Sequence, residues 1–237
     1  MTDETPAAAV PALNARERRV LGVLVEKQKT TPEYYPMTIA AIVTACNQKS
    51  NRDPVTNYDA DDVEEILDCL RKRGAAVILE GSGRVPKWKH TLYDWLDLKG
   101  RAAEMAVLAE LLLRGPQTEG DLRGRAGRMN EIPDLTALQT LLQYLSGRGL
   151  VVTLSPPGQR RGVVVTHGLY PPEELERIRS SHAHILTKQE ETTVTRASSA
   201  TISNEEVAAL RAEIDALKAT VASLSAEFHE FKAALGA

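Results

Sequence analysis

One unit occurs twice in this chain and limits what the chain can fold into. Residues 63–79, VEEILDCLRKRGAAVIL, place Val63, Ile66, Leu67 and Leu70 at i, i+3, i+4 and i+7, one apolar stripe on a helix. Arg71, Lys72 and Arg73 crowd the last turn, where positive charge suits the helix dipole, and Gly74 suits a left-handed cap before a short apolar strand. Residues 138–154, LQTLLQYLSGRGLVVTL, repeat the pattern 75 positions later, with Leu138, Leu141, Leu142, Leu145 and Gly149 on Val63, Ile66, Leu67, Leu70 and Gly74. A helix, a glycine and a strand are used twice.

The segments before and after each copy define the unit. Asn14 with Glu17 opens a first helix as a capping box, and Val20, Leu21, Leu24 and Val25 form its stripe. Thr38 caps a second helix carrying Ile39, Ile42, Val43 and Cys46, and Asp59 caps the third. After Gly74 come strand 75–80, the turn Gly81-Ser82-Gly83, and a strand in which Trp88, His90 and Leu92 alternate with lysines. The second pass has a helix 101–114 stopped by Gly115-Pro116, caps at Thr118 and Asp134, strands 150–154 and 163–167, and a closing helix from Pro171. Three helices followed by a β-hairpin, twice, predict a mainly α, α+β chain of tandem winged helices, a variant of the helix-turn-helix. The expected divisions are 1–12 without structure, 13–96 and 97–186 as the two winged helices, a Ser/Thr-rich linker 187–202, and a coiled coil over 203–235.

Two strings carry a resemblance to a known family. MTIAAIVTACNQKSNRDPV and LLLRGPQTEGDLR, together with the KWKH strand, resemble the YceH-like family of bacterial tandem winged-helix proteins over roughly residues 13–182. The resemblance implies two winged helices and a cytoplasmic bacterial protein. It implies no activity, because the family has no agreed catalytic residues to carry over.

The tail has the most regular spacing. Val207, Leu210, Ile214, Leu217, Val221, Leu224, Phe228, Phe231 and Leu235 alternate steps of three and four, a heptad seam. Glu206, Glu213 and Glu227 at g face Arg211, Lys218 and Lys232 at the following e positions of a parallel partner, whereas an antiparallel pair would set like charges together. The seam predicts a parallel two-stranded homodimer.

Chemistry is harder to find. Cys46 and Cys69 lack metal-ligand or redox spacing, and two cysteines with no signal peptide predict a reducing, cytoplasmic setting. No run approaches the ~18 apolar residues of a membrane span. Neither a phosphate-binding glycine loop nor a nucleophile motif occurs, so no enzyme, cofactor or metal is expected. The loop NQKSNRDP either bonds its own backbone or holds an anion through Lys49 and Arg52; both readings stay open.

Charge separates the two copies. Residues 13–96 hold 13 basic against 12 acidic residues, and 97–182 hold 11 against 10, too balanced for tight nonspecific DNA binding. The third helix of the first copy offers Asp61, Asp62, Glu64, Glu65 and Asp68 to solvent, which a polyanion repels. The second offers Thr136, Gln139, Thr140 and Gln143, able to read base edges, with Arg123, Arg125, Arg128, Arg160 and Arg161 nearby for phosphates. The first hairpin adds Arg84, Lys87 and Lys89. The expectation is a dimeric, regulator-like binder of double-stranded DNA that uses its second winged helix. The alternative is a protein-interaction scaffold on the same fold with an unidentified protein partner.

Overall fold

The structure, a computed structural model, describes residues 10–80, 85–159 and 161–183, with 216, 218, 219 and 221. Among them no helix is long and apolar enough to cross a membrane. The elements are α1 (Ala15–Thr30), a 3-10 turn Pro32–Tyr34, α2 (Ile39–Cys46), α3 (Ala60–Lys72), β1 (Ala76–Leu79), β2 (Lys87–His90) and α4 (Leu92–Trp95). The same order returns in α5 (Ala102–Arg114), β3 (Gln117–Thr118), α6 (Glu119–Ala126), α7 (Leu135–Gly147), β4 (Val151–Thr153) and β5 (Val164–His167), and residues 172–183 are helical. The chain is thus a mixed structure of helices with small antiparallel sheets.

The expected caps hold the helices in register. Asn14 Oδ1 accepts from Glu17 N at 2.9 Å while Glu17 Oε2 accepts from Asn14 N at 2.8 Å, and Asp59 and Asp62 make the same box on α3. Thr38, Thr118 and Asp134 cap α2, α6 and α7 with their side-chain oxygens. Gly74 and Gly149 both take positive φ, 75° and 68°, which turns each third helix into its strand.

Each repeat also has a third strand-like contact that periodicity could not show. In the second, β3 pairs with β5, giving the order β3-β5-β4. In the first, Met37 and Trp88 exchange two hydrogen bonds, 3.0 and 2.7 Å, beside the β1–β2 hairpin. The hairpins end on matching sequences, His90-Thr91-Leu92-Tyr93 and His167-Gly168-Leu169-Tyr170. In both, the histidine Nδ1 accepts the N–H of the residue two on, at 3.2 Å.

The repeats share one core. The first helix of each, α1 and α5, is buried on nearly every side, not along the single stripe that a surface helix would show. They pack on each other at Gly22, where a Cβ would stand 2.9 Å from Leu113 Cγ. One apolar cluster runs from Leu13 to Leu169, and the chain up to Ala183 forms a single compact unit, with His184–Ala237 as a second. Of the tail seam only Val221 falls within the described residues; it is helical and 65% exposed. The other seam positions, the linker and the proposed coiled coil lie outside them.

Candidate nucleic-acid interface

The third helices α3 and α7 differ in what they expose. On α3, Asp62 and Glu65 pair with Arg16, the latter at 3.3 Å, and Asp68 pairs with Arg71 at 3.1 Å. Asp61 and Glu64 are exposed, with no cation in ion-pair range among the described residues. On α7, Thr136, Gln139, Thr140 and Gln143 are all exposed, so the neutral face anticipated from spacing stands free to solvent. Gln139 Nε2 donates to Glu119 Oε2 at 3.0 Å, and both side chains line a groove of about 540 Å³ between α7 and the β4–β5 hairpin.

The arginines around α7 divide into two kinds. Arg123 donates to the carbonyls of Ile132 and Pro133 at 3.4 and 3.1 Å, and Arg125 donates to the Gln117 side chain at 2.7 Å. Neutral acceptors orient a guanidinium without cancelling its charge, and among the described residues the one carboxylate in ion-pair range of Arg125, Asp121, is 3.9 Å away. Arg128 differs: it bridges Glu26 at 2.5 Å and Glu110 at 3.0 Å, and so belongs to the joint between the repeats, not to a phosphate track. Two carboxylates raise its pKa despite the burial that opposes them. Arg161 is exposed, as are Lys87 and Lys89 on β2; Arg84 and Arg160 lie outside the described residues.

The loop 47–54 is also a joint. Arg52 is fully buried and pairs with Glu26 at 2.5 Å; its remaining donors meet Ala45 O, Asn51 O and Gln48 Oε1. A neutralised, saturated guanidinium cannot hold a further anion, so of the two readings of this loop the one that bonds its own surroundings holds for Arg52, and Lys49 and Arg52 do not form an anion site. Lys49 alone is exposed. Asp53 N donates to Leu113 O at 3.0 Å and Arg114 Nη2 to Asn51 Oδ1 at 2.7 Å. The two strings that carry the family resemblance therefore meet each other in space. Their length in the sequence reflects that joint, which single-helix patterns do not reveal.

The first repeat has a groove in the corresponding place, with the opposite character. Ile39, Ile78, Val85, Pro86 and Trp88 line about 430 Å³, with Glu64 at its edge. Val85 is 59% exposed, and the Trp88 indole N–H is buried without an acceptor among the described residues. Burial pushes the Cys46 thiol up to about 12, which makes it an inert core group, and Cys69 is exposed.

These features define a class, a duplicated helix-and-hairpin protein whose copies are fused through their first helices and present unlike outer faces. The chain belongs to the family described as "Protein of unknown function, DUF480", which matches residues 13–159, consistent with the YceH-like resemblance. It is 50% identical to UPF0502 protein RB6530 of Rhodopirellula baltica over 171 residues, 72% of this chain and 70% of that one. A UPF0502 protein of Geotalea uraniireducens is 46% identical over 179 residues, 76% of this chain and 74% of its own. UPF0502 protein GSU0233 of Geobacter sulfurreducens is 48% identical over 147 residues, 62% of this chain and 66% of its own.

Proposed function

We propose that each repeat is a winged helix and that the protein is a non-enzymatic, regulator-like binder of double-stranded DNA, acting through the second repeat as a homodimer. The observation that carries this reading is the contrast between α3 and α7. Four uncharged hydrogen-bonding side chains stand exposed on α7, while the matching face of α3 is acidic. Arg123 and Arg125 are oriented by neutral acceptors that do not cancel their charge, and Arg161 in the second hairpin is exposed. Phosphate contacts would position the helix and glutamines would read base edges. The test is binding to random and genomic DNA fragments over a range of salt. Arg125→Ala or Arg161→Ala is expected to weaken binding and flatten the log–log salt slope by ~0.9 per lost contact, while Asp61→Ala and Glu65→Ala leave it intact. Loss of binding from the carboxylate substitutions alone would reverse the assignment.

A second reading, a docking scaffold, draws on the first repeat. Its groove is apolar with Glu64, which has no cation in ion-pair range among the described residues, on its lining; this suits a protein segment presenting a large apolar side chain next to lysine or arginine. No DNA binding at low salt, with Trp88 fluorescence responding to a basic amphipathic peptide and Val85→Asp removing the response, would favour it.

A further inference from the structure

The matched histidines at the hairpin ends are not satisfied in the same way. Each accepts a backbone N–H at Nδ1, which in a neutral ring puts the proton on Nε2. His90 Nε2 then donates to Gln28 Oε1 at 2.8 Å. His167 is 1% exposed, and its Nε2–H has no acceptor among the described residues. The cause is visible in the helices. Aligning α1 on α5 through Ala15/Ala102, Glu17/Glu104, Val20/Val107, Leu21/Leu108 and Leu24/Leu111 sets Gln28 on Gly115, which has no side chain to offer.

A cavity of about 280 Å³ lies beside that glycine at the joint of the two repeats; Arg18, Arg19, Arg114 and His167 line it, together with the carboxylates Asp53 and Glu174. Arg18 is answered by Glu174, with contacts at 2.5 and 3.0 Å, and Arg114 by Glu110 at 3.1 Å. Arg19 has no ion pair: burial and Arg52 oppose its charge, and Asp53 on the same wall favours that charge from beyond ion-pair distance. It is 3% exposed, donates from Nη2 to Pro54 O, and has no carboxylate within ion-pair distance among the described residues. Its Nη1 is buried without any hydrogen-bond partner. A buried, unpaired guanidinium is costly, and structures tolerate one where something else supplies the negative charge.

We infer that this cavity binds a small oxyanion, a carboxylate or phosphate group, which accepts from Arg19 Nη1 and His167 Nε2–H. Apolar walls from Leu112 and Pro116 suit a small organic body behind the anionic group. Because the walls come from both repeats, such a ligand would stiffen the joint between them. The inference does not depend on DNA binding.

The experiment uses the full chain, with inorganic phosphate and benzoate each titrated against chloride at matched ionic strength. The thermal midpoint and the ring ¹⁵N signals of His167 are followed. A saturable rise in midpoint with a shift of the Nε2–H resonance is expected for at least one anion; which one responds distinguishes phosphate from carboxylate. Arg19→Gln is expected to weaken the response roughly tenfold or more, the loss of a charge-assisted hydrogen bond. Ala15→Trp, at the exposed edge of the cavity, is expected to block it while leaving Arg19 in place. If Arg19→Gln does not fold, Ala15→Trp and the His167 resonance decide. A response to neither anion, or one that Ala15→Trp leaves unchanged, overturns the inference.

Discussion

Arg128 of the second repeat closes an ion pair at 2.5 Å with Glu26 of the first, and the same carboxylate meets Arg52 at 2.5 Å. Burial pushes the Glu26 carboxyl up, but hydrogen bonds and charge from Arg52 and Arg128 more than reverse this and hold it below the usual carboxylate range. One side chain thus fixes the 47–54 loop, the α6–α7 loop and α1 to each other.

Glu26→Gln is therefore expected to be among the most damaging single substitutions, because it leaves two guanidinium groups facing a neutral amide. Removing one partner of a buried pair costs about 3–5 kcal/mol, and urea unfolding would show it as a lower midpoint. Arg128→Ala should cost less, since its side chain is 30% exposed against 3% for Glu26. Equal effects would mean that Glu26 does not organise the joint.

Acid should weaken the fold in two separate windows. Burial first, then the nearby Lys29 and Lys89, holds His90 at about 4 against an ordinary 6.5. The folded state keeps the ring neutral while the unfolded chain takes up a proton. The stability from His90 is thus complete above pH 6.5 and is lost as pH falls toward about 4, roughly 3 kcal/mol over the range. His167 is lowered in the same direction by burial and Arg18. The Glu26 contribution is lost only at lower pH, below the ordinary carboxylate value of 4.5. Urea midpoints measured from pH 7 to 4 should fall less steeply in His90→Asn, whose side-chain oxygen can still accept from Leu92 N.

Local features of this fold were legible in the sequence, and long-range ones were not. Asn14, Thr38, Asp59, Thr118 and Asp134 announce their helices because a cap acts on backbone three residues away. The α7 face followed from its period. β3 did not, because two residues are too short to show alternation and exist as a strand only through Val164 and Val165. Arg128 and Arg52 resembled free cations because their partner, Glu26, is far away in sequence. The stripe Val20, Leu21, Leu24, Val25 showed one buried face, whereas α1 packs against its counterpart α5 and is buried on nearly every side. Within α1, Gly22 was the one local sign of that close approach.

Gly168 and Thr91 occupy matching positions and should respond differently to substitution. A Cβ on Gly168 would overlap the backbone carbonyl oxygen of Gly149, which cannot turn aside as a side chain can. Gly168→Ala is expected to cost at least about 1–3 kcal/mol by overpacking. Thr91 instead has room for its side chain and donates from Oγ1 to Gly74 O at 2.5 Å. Thr91→Ala should cost only about 1 kcal/mol, one hydrogen bond at an exposed site. Thermal midpoints of the two variants compared side by side check the order.

The tail is proposed to set the oligomeric state. Val221, apolar, helical and 65% exposed, sits at a seam position of the heptads that run from Val207 to Leu235. An unbroken three–four spacing of apolar residues is stabilised when a second helix covers it, and exposed g–e pairs such as Glu213 with Lys218 contribute only ~0.2–1 kcal/mol each. In the proposed dimer the apolar seam would supply the affinity, and the charges would choose a parallel over an antiparallel pair. Sedimentation equilibrium of the full chain at tens of micromolar should return twice the 25.9 kDa chain mass. Val221→Asp places a carboxylate in the middle of the seam and should return the monomer, as should truncation after residue 186. A three-stranded mass would keep the seam and revise the stoichiometry, with Phe228 and Phe231 as the bulky positions to substitute next. A full-length chain that stays monomeric at that concentration would remove the tail as the dimerisation element, and with it the paired presentation of α7 to DNA.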